Sequence, residues 1–236
     1  MPLFGYDGSR GGMVSMNDPS TERTRVRRHP ERGRYDREAV YGILDEALYC
    51  HLGFEAGGHP YVIPTIHARV EDQVYAHGAS ASRMLQRLAD GVPVCLTVTL
   101  LDGLVLARSV FSHSMNYRSV VVLGVATEVT DADEKLAALR AVVEHVVPGR
   151  WQEARHPTAA ELSATRVLRI PLAEASAKIR SGPPKDPSDD LALPVWAGEI
   201  PLTLRAGRPV AAPGLRPETA VPRYLADYLA GARRFR

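Results

Sequence analysis

The order of strand-like and helix-like segments is the feature that most restricts the fold of this chain. Between residues 36 and 182 a helical pattern is followed by three strand-like runs, a second helix, three more strand-like runs, a third helix and further strands. A parallel doubly wound sheet needs repeated alternation of strands and helices, which is missing here. Strands joined by short turns, with helices covering the open ends, are typical of an antiparallel barrel. The sequence therefore predicts a mainly β fold with flanking helices.

Turn residues indicate where the strand-like runs end. A Gly-Gly-His-Pro turn separates "LYCHLGFEA" from "YVIPTIHARV", and Pro64 inside the second run indicates a bulge or a sheet edge. The Asp102-Gly103 pair predicts a hairpin that joins "GVPVCLTVTLLDG" to "LVLARSVFSH". Both turns favour antiparallel pairing of the strands that they connect.

Charge and cysteine usage argue against several classes of protein. The net charge is +2, and the basic cluster from Arg23 to Arg34 contains no aromatic residue, so nucleic acid is not an expected partner. No apolar run reaches the roughly 20 residues of a membrane span. The two cysteines, Cys50 and Cys95, lie in apolar strand-like runs and are interpreted as buried free thiols. Free thiols favour a reducing compartment, and we predict a cytoplasmic protein.

The stretch "VYAHGASASRMLQRL", residues 74–88, gathers small residues, hydroxyls and an arginine where a strand becomes a helix. Backbone N–H groups at a helix N-terminus bind phosphate, small residues allow close approach, and an arginine can bind two phosphate oxygens. Ser80 or Ser82 taken alone is more often an ordinary N-cap. The local pattern therefore leaves two interpretations, an N-capped turn and a phosphate site.

A second polar stretch, "HSMNYRS", runs from His113 to Ser119 between two strand-like runs. Most such stretches are hairpin turns in which asparagine tolerates unusual backbone angles. Tyr117, Arg118 and Ser119, however, begin the next strand, where alternate side chains can face a ligand. Arg118 is thus either a second phosphate clamp or a surface charge.

Motifs for metal binding and hydrolysis are missing from the sequence. There is no HExxH, no close cysteine pair and no histidine pair at ligand spacing on one helix, so no metal site is expected. GxSxG, GxGxxG and Walker-type loops are also missing. His51, His67, His77 and His113 lie in or beside different strand-like runs and could converge only through folding. Each of them alone is more often a hydrogen-bonded structural residue.

Two long stretches together resemble the pyridoxamine 5′-phosphate oxidase-related flavoproteins, in particular the branch that contains nitroimidazole-resistance proteins. They are "GHPYVIPTIHARVEDQVYAHGASASRM" and "NYRSVVVLGVATEVTDADEKLAALRAVVEHVVPGRW". The likeness spans about Arg28 to Pro201 and depends on the order of its motifs, including a late "VWAGEIPL". The arginine-and-histidine substrate signature of true pyridoxamine phosphate oxidases is missing near the C-terminus. Oxidation of vitamin B6 is therefore not expected.

The resemblance implies an antiparallel split β-barrel that forms a homodimer and binds FMN at each subunit interface. Ser80, Ser82 and Arg83 would hold the FMN phosphate, and Arg118 or Arg180 would stabilise the reduced flavin. The full set of FMN-binding residues implied by the resemblance is Pro64, Thr65, Ile66, His77, Gly78, Ser80, Ser82, Arg83, Asn116, Tyr117, Arg118, Ser119, Lys178, Arg180 and Trp196.

The sequence also predicts three segments and a function. We predict a disordered arm at residues 1–27, a flavin-binding split barrel at 28–182, and a C-terminal extension at 183–236 that packs on the barrel or on the partner subunit. A late helix is predicted at Tyr224–Leu229. The expected function is an FMN-dependent oxidoreductase acting on an unidentified small molecule, with nitro-compound reduction as one hypothesis and with acid–base help from His67 or His113.

Three alternatives to that function stay open at the level of sequence. The cofactor could be a deazaflavin, because it too offers a phosphate and a tricyclic ring. The protein could be a flavin or haem carrier without catalysis, in which a histidine supplies the axial ligand of the iron. It could also be a structural or regulatory dimer with an empty cleft.

Overall fold

The computed structural model describes residues 21–226 and contains one ten-stranded sheet in that part of the chain. The strands are β1 (Gly33–Arg34), β2 (Tyr49–Ala56), β3 (His59–Val70), β4 (Gln73–Ala79), β5 (Pro93–Leu106), β6 (Ser114–Val125), β7 (Thr127–Glu128), β8 (Thr165–Pro171), β9 (Ala175–Arg180) and β10 (Gly198–Pro201). Their order is β1-β9-β6-β5-β2-β3-β4-β8-β7, and β10 pairs with β5. Every pairing is antiparallel. The predicted antiparallel split barrel is confirmed.

Five helices flank this sheet in the described part of the chain, and the sequence pattern predicted the first three of them. They are α1 (Arg37–Glu46), α2 (Arg83–Ala89), α3 (Ala132–Val146), α4 (Arg150–Glu153) and α5 (Ala159–Ala164). Asp36 caps α1 by accepting a hydrogen bond from the Ala39 N–H at 2.9 Å. Asp131 caps α3 in the same way through the Glu134 N–H at 2.8 Å. Within residues 21–226, no helix has both the length and the apolar character needed to span a bilayer.

The hydrophobic core lies between one face of the sheet and the helices α1 and α2. Strand residues that alternate toward this face are fully buried together with the apolar stripes of both helices, and each large aliphatic side chain contributes roughly 1.5–3 kcal/mol on burial. These residues include Val40, Leu44, Cys50, Leu52, Phe54, Leu85, Leu88, Val94, Leu96, Val98, Val120 and Val122. Both cysteines are free, and burial raises the pKa of the Cys50 thiol to about 12.

The opposite face of the same strands carries exposed apolar side chains, and we refer to it as the outer face. Tyr49, Val62, Ile66, Leu101 and Met115 are between 43% and 65% exposed. On β2, β5 and β6 these residues alternate with buried ones, and on β3 Val62 alternates with Tyr61, which packs against the core. Pro64 shares this face, and residues 59–66 pair with β2 on one side only, so the edge predicted from Pro64 is present.

The predicted hairpin at Asp102-Gly103 is wrong. The chain continues as a single strand, β5, from Pro93 to Leu106, with a bulge between Leu101 and Gly103. Strand β10 pairs with the second half of β5, and a Cβ at Gly103 would lie only 3.0 Å from the carbonyl oxygen of Ile200. The glycine therefore allows a close backbone approach, and the Asp-Gly pair marks a bulge instead of a turn.

The two ends of the described chain are attached to the barrel. Residues 21–27, which the prediction placed in a disordered arm, bind it through an Arg23–Glu174 ion pair of 2.9 Å and a Val26 N–H to Tyr35 hydroxyl bond of 2.8 Å. Residues 1–20 lie outside the described part. In the C-terminal extension, β10 joins the sheet, and the predicted late helix contributes one 3-10 turn, Arg223–Leu225; residues from 227 onward are not described.

Candidate functional site

The turn from β4 into α2 brings together most of the residues predicted to hold a phosphate. Ser82 is the N-cap of α2, but its hydroxyl makes no capping hydrogen bond. The Ser80 N–H donates to the Ala164 carbonyl at 2.8 Å, which fixes the turn against α5. Because α2 has only seven residues, its dipole is small and the side chains must supply most of the attraction for an anion. The turn is held in place, and the hydroxyl of Ser82 is available to a ligand.

Arg83 places an exposed cation on this turn. Its guanidinium lies 4.7 Å from the centre of the Tyr61 ring, and Tyr61 in turn stacks on Phe54 at 5.6 Å. Within residues 21–226 Arg83 forms no ion pair with a carboxylate. A cation–π contact at an exposed site is worth only about 0.5–1 kcal/mol and leaves the N–H donors free. Arg83 is therefore oriented by an aromatic ring and can still bind an anion.

Gly78 and His77 lie at the end of β4 just before this turn. A Cβ at Gly78 would lie 3.1 Å from the Leu85 side chain, so glycine lets α2 pack closely against the strand. His77 is half-buried; its Nδ1 is enclosed and has no hydrogen-bond partner among residues 21–226. Burial lowers the pKa of His77 from its ordinary value of 6.5. Both residues contribute to the local packing. Their predicted contact with the cofactor stays a prediction.

Pro64, Thr65 and Ile66 lie on β3, where they pair with residues 51 to 49 of β2. Ile66 is 43% exposed and Pro64 is also exposed, whereas Thr65 is half-buried. Pro64 and Ile66 are therefore exposed on the outer face, while Thr65 alternates toward the core. This short segment offers an apolar edge and no charge.

A second group of predicted residues surrounds a pocket of about 370 Å³ at the bulge of β5. The pocket is lined by Asp102, Gly103, Asn116, Arg118, Ile179, Arg180, Ser181, Gly182, Glu199 and Pro201. Strands β5, β6, β9 and β10 supply most of these residues, so the bulge and the added strand β10 shape the cavity.

Arg118 is held between two carboxylates at the base of this pocket. Its guanidinium donates to Asp102 at 2.8 and 3.0 Å and to Glu46 at 2.8 Å, with a further contact to the second Glu46 oxygen. Hydrogen bonds to Glu46, and then to Asp102, raise the pKa of Arg118 above its already high ordinary value. The Glu46 side chain is only 4% exposed. Arg118 thus neutralises a buried carboxylate, and its donors are not free for a phosphate.

Arg180 and Asn116 form a second polar contact in the pocket. Arg180 donates to the Asn116 side-chain oxygen and to the carbonyls of Gly182 and Pro183, at 2.6 and 3.0 Å for the carbonyls. Asn116 in turn donates to Glu199 at 2.5 Å. Burial, followed by repulsion from Arg32, lowers the pKa of Arg180. Arg180 is 7% exposed and has no carboxylate partner at ion-pair distance in the described chain, so part of its charge is left for a ligand.

The remaining predicted residues lie near this pocket or on the outer face. Lys178 pairs with Ser119, whose hydroxyl donates to the Lys178 carbonyl at 3.3 Å, and Arg180 pairs with Tyr117. Trp196 is 65% exposed and lies against Gly198, where a Cβ would come within 2.9 Å of the indole ring. An exposed indole at the start of β10 is free to cover a ligand.

Within the single chain the predicted site residues form two groups on different strands. The first lies on β3, β4 and α2, and the second lies on β6, β9 and the segment before β10. Strands β5 and β2 separate β6 from β3, which corresponds to roughly 14 Å across three strand spacings. Neither group alone combines an anion-binding turn with a polar pocket.

The two histidines named for acid–base roles have very different surroundings. His67 is fully buried, and its Nε2 bonds the Leu44 carbonyl at 3.0 Å, so it is closed off from a substrate. Burial, with a smaller contribution from nearby His145, lowers the pKa of His67 to about 4. His113 is exposed, and its Nδ1 bonds the Ser109 carbonyl at 2.8 Å. Within residues 21–226, no group of three or more His, Cys, Asp or Glu side chains is placed to hold a metal ion.

Four residues of these two groups were missed by sequence reasoning. Asp102 and Glu199 supply the carboxylates of the pocket, Glu46 pairs with Arg118 behind it, and Tyr61 orients Arg83. Glu46 ends an amphipathic helix and is buried there, a signal that could have indicated a buried ion pair. Its partner Arg118 lies 72 residues away, and no local pattern connects them.

Comparisons with known proteins agree with this architecture. The model of the family described as pyridoxamine 5′-phosphate oxidase matches residues 36–179. The structure of the flavocytochrome Anf3 from Azotobacter vinelandii is 40% identical, with a TM-score of 0.84, over 89% of this chain and 99% of that chain. The structure of the FAD and haem binding protein from Mycobacterium smegmatis is 35% identical, with a TM-score of 0.80, over 84% of this chain and 97% of that one.

A more distant structure shows the fold alone. A protein of Bacteroides thetaiotaomicron described as a 5-nitroimidazole antibiotic resistance protein is 24% identical, with a TM-score of 0.51, over 62% of this chain and 86% of that chain. No match was found among curated proteins. The matched segment covers more than half of the chain and includes β2 to β8, α1 to α3 and the turn around Arg83. This chain belongs to the pyridoxamine 5′-phosphate oxidase family.

Proposed function

We propose that this protein is a homodimeric, cytoplasmic redox protein that binds a flavin and haem. The observation that carries the proposal is the likeness, over nearly the whole chain, to a flavocytochrome and to an FAD and haem binding protein. At 35–40% identity both relatives share far more than the fold. The description of the Mycobacterium smegmatis protein names FAD where the sequence predicted FMN, and both descriptions favour the haem-binding alternative alongside flavin binding.

The strand-to-helix turn fits the phosphate of a flavin nucleotide. Ser82 offers an uncommitted hydroxyl, and Arg83 offers donors that no carboxylate occupies within residues 21–226. Hydrogen bonds from arginine to phosphate are charge-assisted and can be bidentate. Pro64 and Ile66 lie on the outer face of β3, with exposed apolar surface against which a flavin ring can pack. In this proposal the turn holds the phosphate and β3 lies along the ring.

The pocket at the bulge of β5 supplies the polar contacts that the turn lacks. Arg180 retains positive charge there, with Asn116 between it and Glu199. A cation near the pyrimidine edge of a flavin stabilises the negative charge of its reduced form. Arg118 acts indirectly, because it neutralises Glu46 and fixes Asp102 at the bulge. A bound flavin supplies hydride and electron transfer, and these residues set its orientation and charge balance.

Pairing of two subunits would unite the two residue groups. The outer face carries the apolar side chains Tyr49, Val62, Ile66, Leu101 and Met115, and a soluble monomer rarely leaves a continuous apolar face of this kind uncovered. A two-fold axis across this face would bring the turn of one subunit toward the pocket of the other. The proposal is therefore a dimer in which each flavin site draws on both subunits.

The reaction proposed is oxidation or reduction of a small molecule, with nitro compounds as acceptors to be assayed. Neither His67 nor its neighbour His145 is suited to proton transfer with a substrate, since His67 is fully buried and the ring of His145 bonds the Ala47 carbonyl at 2.8 Å. The polar groups of the pocket around Arg180 are the groups that a small substrate would meet.

The visible absorption spectrum of the purified full-length protein, with its released cofactors identified by mass, tests this proposal. We expect flavin bands together with a Soret band, and a mass that distinguishes FAD from FMN. A ligand that binds only the folded state raises the melting temperature, so added FAD or hemin should stabilise cofactor-depleted protein. A colourless protein whose melting temperature does not change when FMN, FAD or hemin is added would contradict the proposal.

A further inference from the structure

We propose that His113 is the axial ligand of the haem iron and binds it through Nε2. This assignment rests on the haem binding proposed above and specifies its ligand. All eight histidines of the sequence lie within residues 21–226, so each can be examined in turn.

Four of the eight histidines are engaged with other groups of the protein. The Nε2 atoms of His67 and His145 bond the carbonyls of Leu44 and Ala47 at 3.0 and 2.8 Å. His29 lies 3.3 Å from Glu31, and His156 stacks on a tryptophan ring at 4.9 Å. The other four are His51, His59, His77 and His113. Among these four, only His113 has a ring nitrogen bonded to a carbonyl within residues 21–226, which is the arrangement expected of a metal ligand.

The hydrogen bond of His113 fixes its tautomer and its direction. Nδ1 lies 2.8 Å from the carbonyl oxygen of Ser109, and a carbonyl oxygen only accepts, so Nδ1 donates. The neutral ring then carries its lone pair on Nε2, which is the atom that would bind iron. Metal-binding histidines usually donate their other ring N–H to a carbonyl or carboxylate, because this orients the ring and raises its basicity. His113 is exposed, so Nε2 is accessible to a large planar ligand.

Apolar side chains beside His113 offer a wall for a porphyrin. Val110 is 90% exposed and Phe111 is 97% exposed, and Met115 on the neighbouring strand is 50% exposed. A nearly fully exposed phenylalanine beside an exposed valine is unusual unless a ligand or a partner covers it. A porphyrin face is apolar and large enough to cover both side chains while its iron meets Nε2. Haem is therefore the ligand proposed for this surface.

The loop that carries these residues is anchored at its base. Arg108 donates to Asp186 through its backbone N–H at 2.9 Å and through its guanidinium at 2.7 Å. The Ser109 hydroxyl donates to Ser112 at 3.1 Å and closes the single 3-10 turn that presents Phe111. An anchored loop presents its ligand and its apolar wall in one arrangement, which reduces the entropy lost on binding.

His51 is the principal rival and serves as the matched control. It lies on β2 between Thr97 and Pro64, with its ring against Tyr49 at 5.6 Å. Within residues 21–226, no carbonyl or carboxylate hydrogen bond orients its ring nitrogens. It is therefore a histidine in reach of a ligand but without the orienting bond of His113.

Hemin titration of the full-length protein, followed by Soret absorbance and electron paramagnetic resonance, tests the assignment. His113→Ala should weaken hemin binding by more than about tenfold, which is the loss seen when even an outer partner of a metal site is removed. It should also change the spin state of any iron still bound, while the flavin content and the melting temperature of the cofactor-depleted protein stay those of the wild type. His51→Ala should leave the hemin affinity and the spin state unchanged.

Rescue separates ligation from a structural effect. Free imidazole added to His113→Gly should restore the wild-type Soret maximum, because it can occupy the emptied ligand position. If His113→Ala keeps the wild-type spectrum and hemin affinity, the assignment is overturned while haem binding stands. The same holds if only His51→Ala loses them. A wild-type protein that binds flavin but no hemin overturns the haem part of the proposed function, and the assignment with it.

Discussion

Arg83 and Arg118 were both predicted to bind the cofactor, and the structure gives them opposite surroundings. Arg118 lies at the end of the core between Glu46 and Asp102, and its N–H donors are taken by carboxylates. Arg83 lies on an exposed turn, over the ring of Tyr61, without a carboxylate partner in the described chain. The same side chain is thus a part of the fold in one region and available for a ligand in the other.

This difference teaches that the donors of Arg118 are satisfied by carboxylates of the protein, whereas those of Arg83 at the rim are not. A buried carboxylate such as Glu46 must be neutralised, because an unpaired charge in the core costs several kcal/mol. A surface arginine is solvated and needs no partner. Variants of Arg118 should therefore change the free energy of unfolding, and variants of Arg83 should change ligand binding instead.

The largest effect on stability is expected from Arg118→Met. The substitution leaves the Glu46 carboxylate, whose side chain is 4% exposed, without its cation. Breaking a buried ion pair by removing one partner costs about 3–5 kcal/mol, and we expect the lower end because Arg118 is itself 25% exposed. The free energy of unfolding, measured by urea denaturation, should fall by about 3 kcal/mol.

A double variant separates the lost ion pair from lost packing. Glu46→Gln combined with Arg118→Met should recover most of the loss, because no uncompensated charge then remains in the core. A single variant within about 1 kcal/mol of the wild type would show that Arg118 is not required by the fold, and the contrast with Arg83 would disappear.

The second effect extends the comparison to histidines, since His67 is fully buried and His113 is exposed. Burial lowers the pKa of His67 to about 4 from an ordinary value of 6.5. Above pH 6.5 neither state binds the proton, and between pH 6.5 and 4 only the unfolded state does. Stability should therefore fall as the pH decreases through this window, by roughly 3 kcal/mol in total, and the His67 contribution should level off below pH 4.

Urea denaturation at a series of pH values measures this contribution as a difference between variants. His67→Leu should remove most of the decrease between pH 6.5 and 4, although it also removes the hydrogen bond to the Leu44 carbonyl. Equal slopes in the wild type and in His67→Leu would contradict the burial argument.

Much of the fold was predictable because it depends on local patterns. The Asp36 and Asp131 caps, the alternation along β2 and β6, and the antiparallel order follow from neighbours in sequence. The hairpin at Asp102-Gly103 was predicted wrongly because the decisive contact comes from Ile200 of β10, about a hundred residues later. A turn and a bulge share the same residues, and only the partner strand distinguishes them.

For the candidate site, the sequence predicted some residues that lie next to one another, but it did not predict how they are arranged. Sequence reasoning selected residues that do gather, such as Asn116 with Arg180 and Ser82 with Arg83. It could not show that Arg118 is neutralised by Glu46, because that pairing depends on how α1 packs across β6. It also could not show that the two groups lie on separate parts of the chain's sheet.

The smallest effect on stability, and the most specific effect on binding, is expected from Arg83→Ala. The variant loses only an exposed cation–π contact, so the free energy of unfolding should fall by less than about 1 kcal/mol. Its affinity for FAD and for FMN should fall roughly 10- to 100-fold, because a charge-assisted hydrogen bond to phosphate is worth about 1.5–3 kcal/mol. Quenching of flavin fluorescence during titration of cofactor-depleted protein gives these affinities.

Riboflavin separates a phosphate contact from a general loss of the site, since it has the ring but no phosphate. Arg83→Ala should bind riboflavin as the wild type does, and Arg83→Lys should recover part of the FMN affinity by restoring the charge without the planar fork. Equal losses for riboflavin and FMN would place Arg83 against the ring, and unchanged FMN affinity would remove it from the site. In either case the unpaired Arg83 would no longer be evidence of a phosphate-binding site. The contrast with Arg118 would then concern only the surroundings of the two charges.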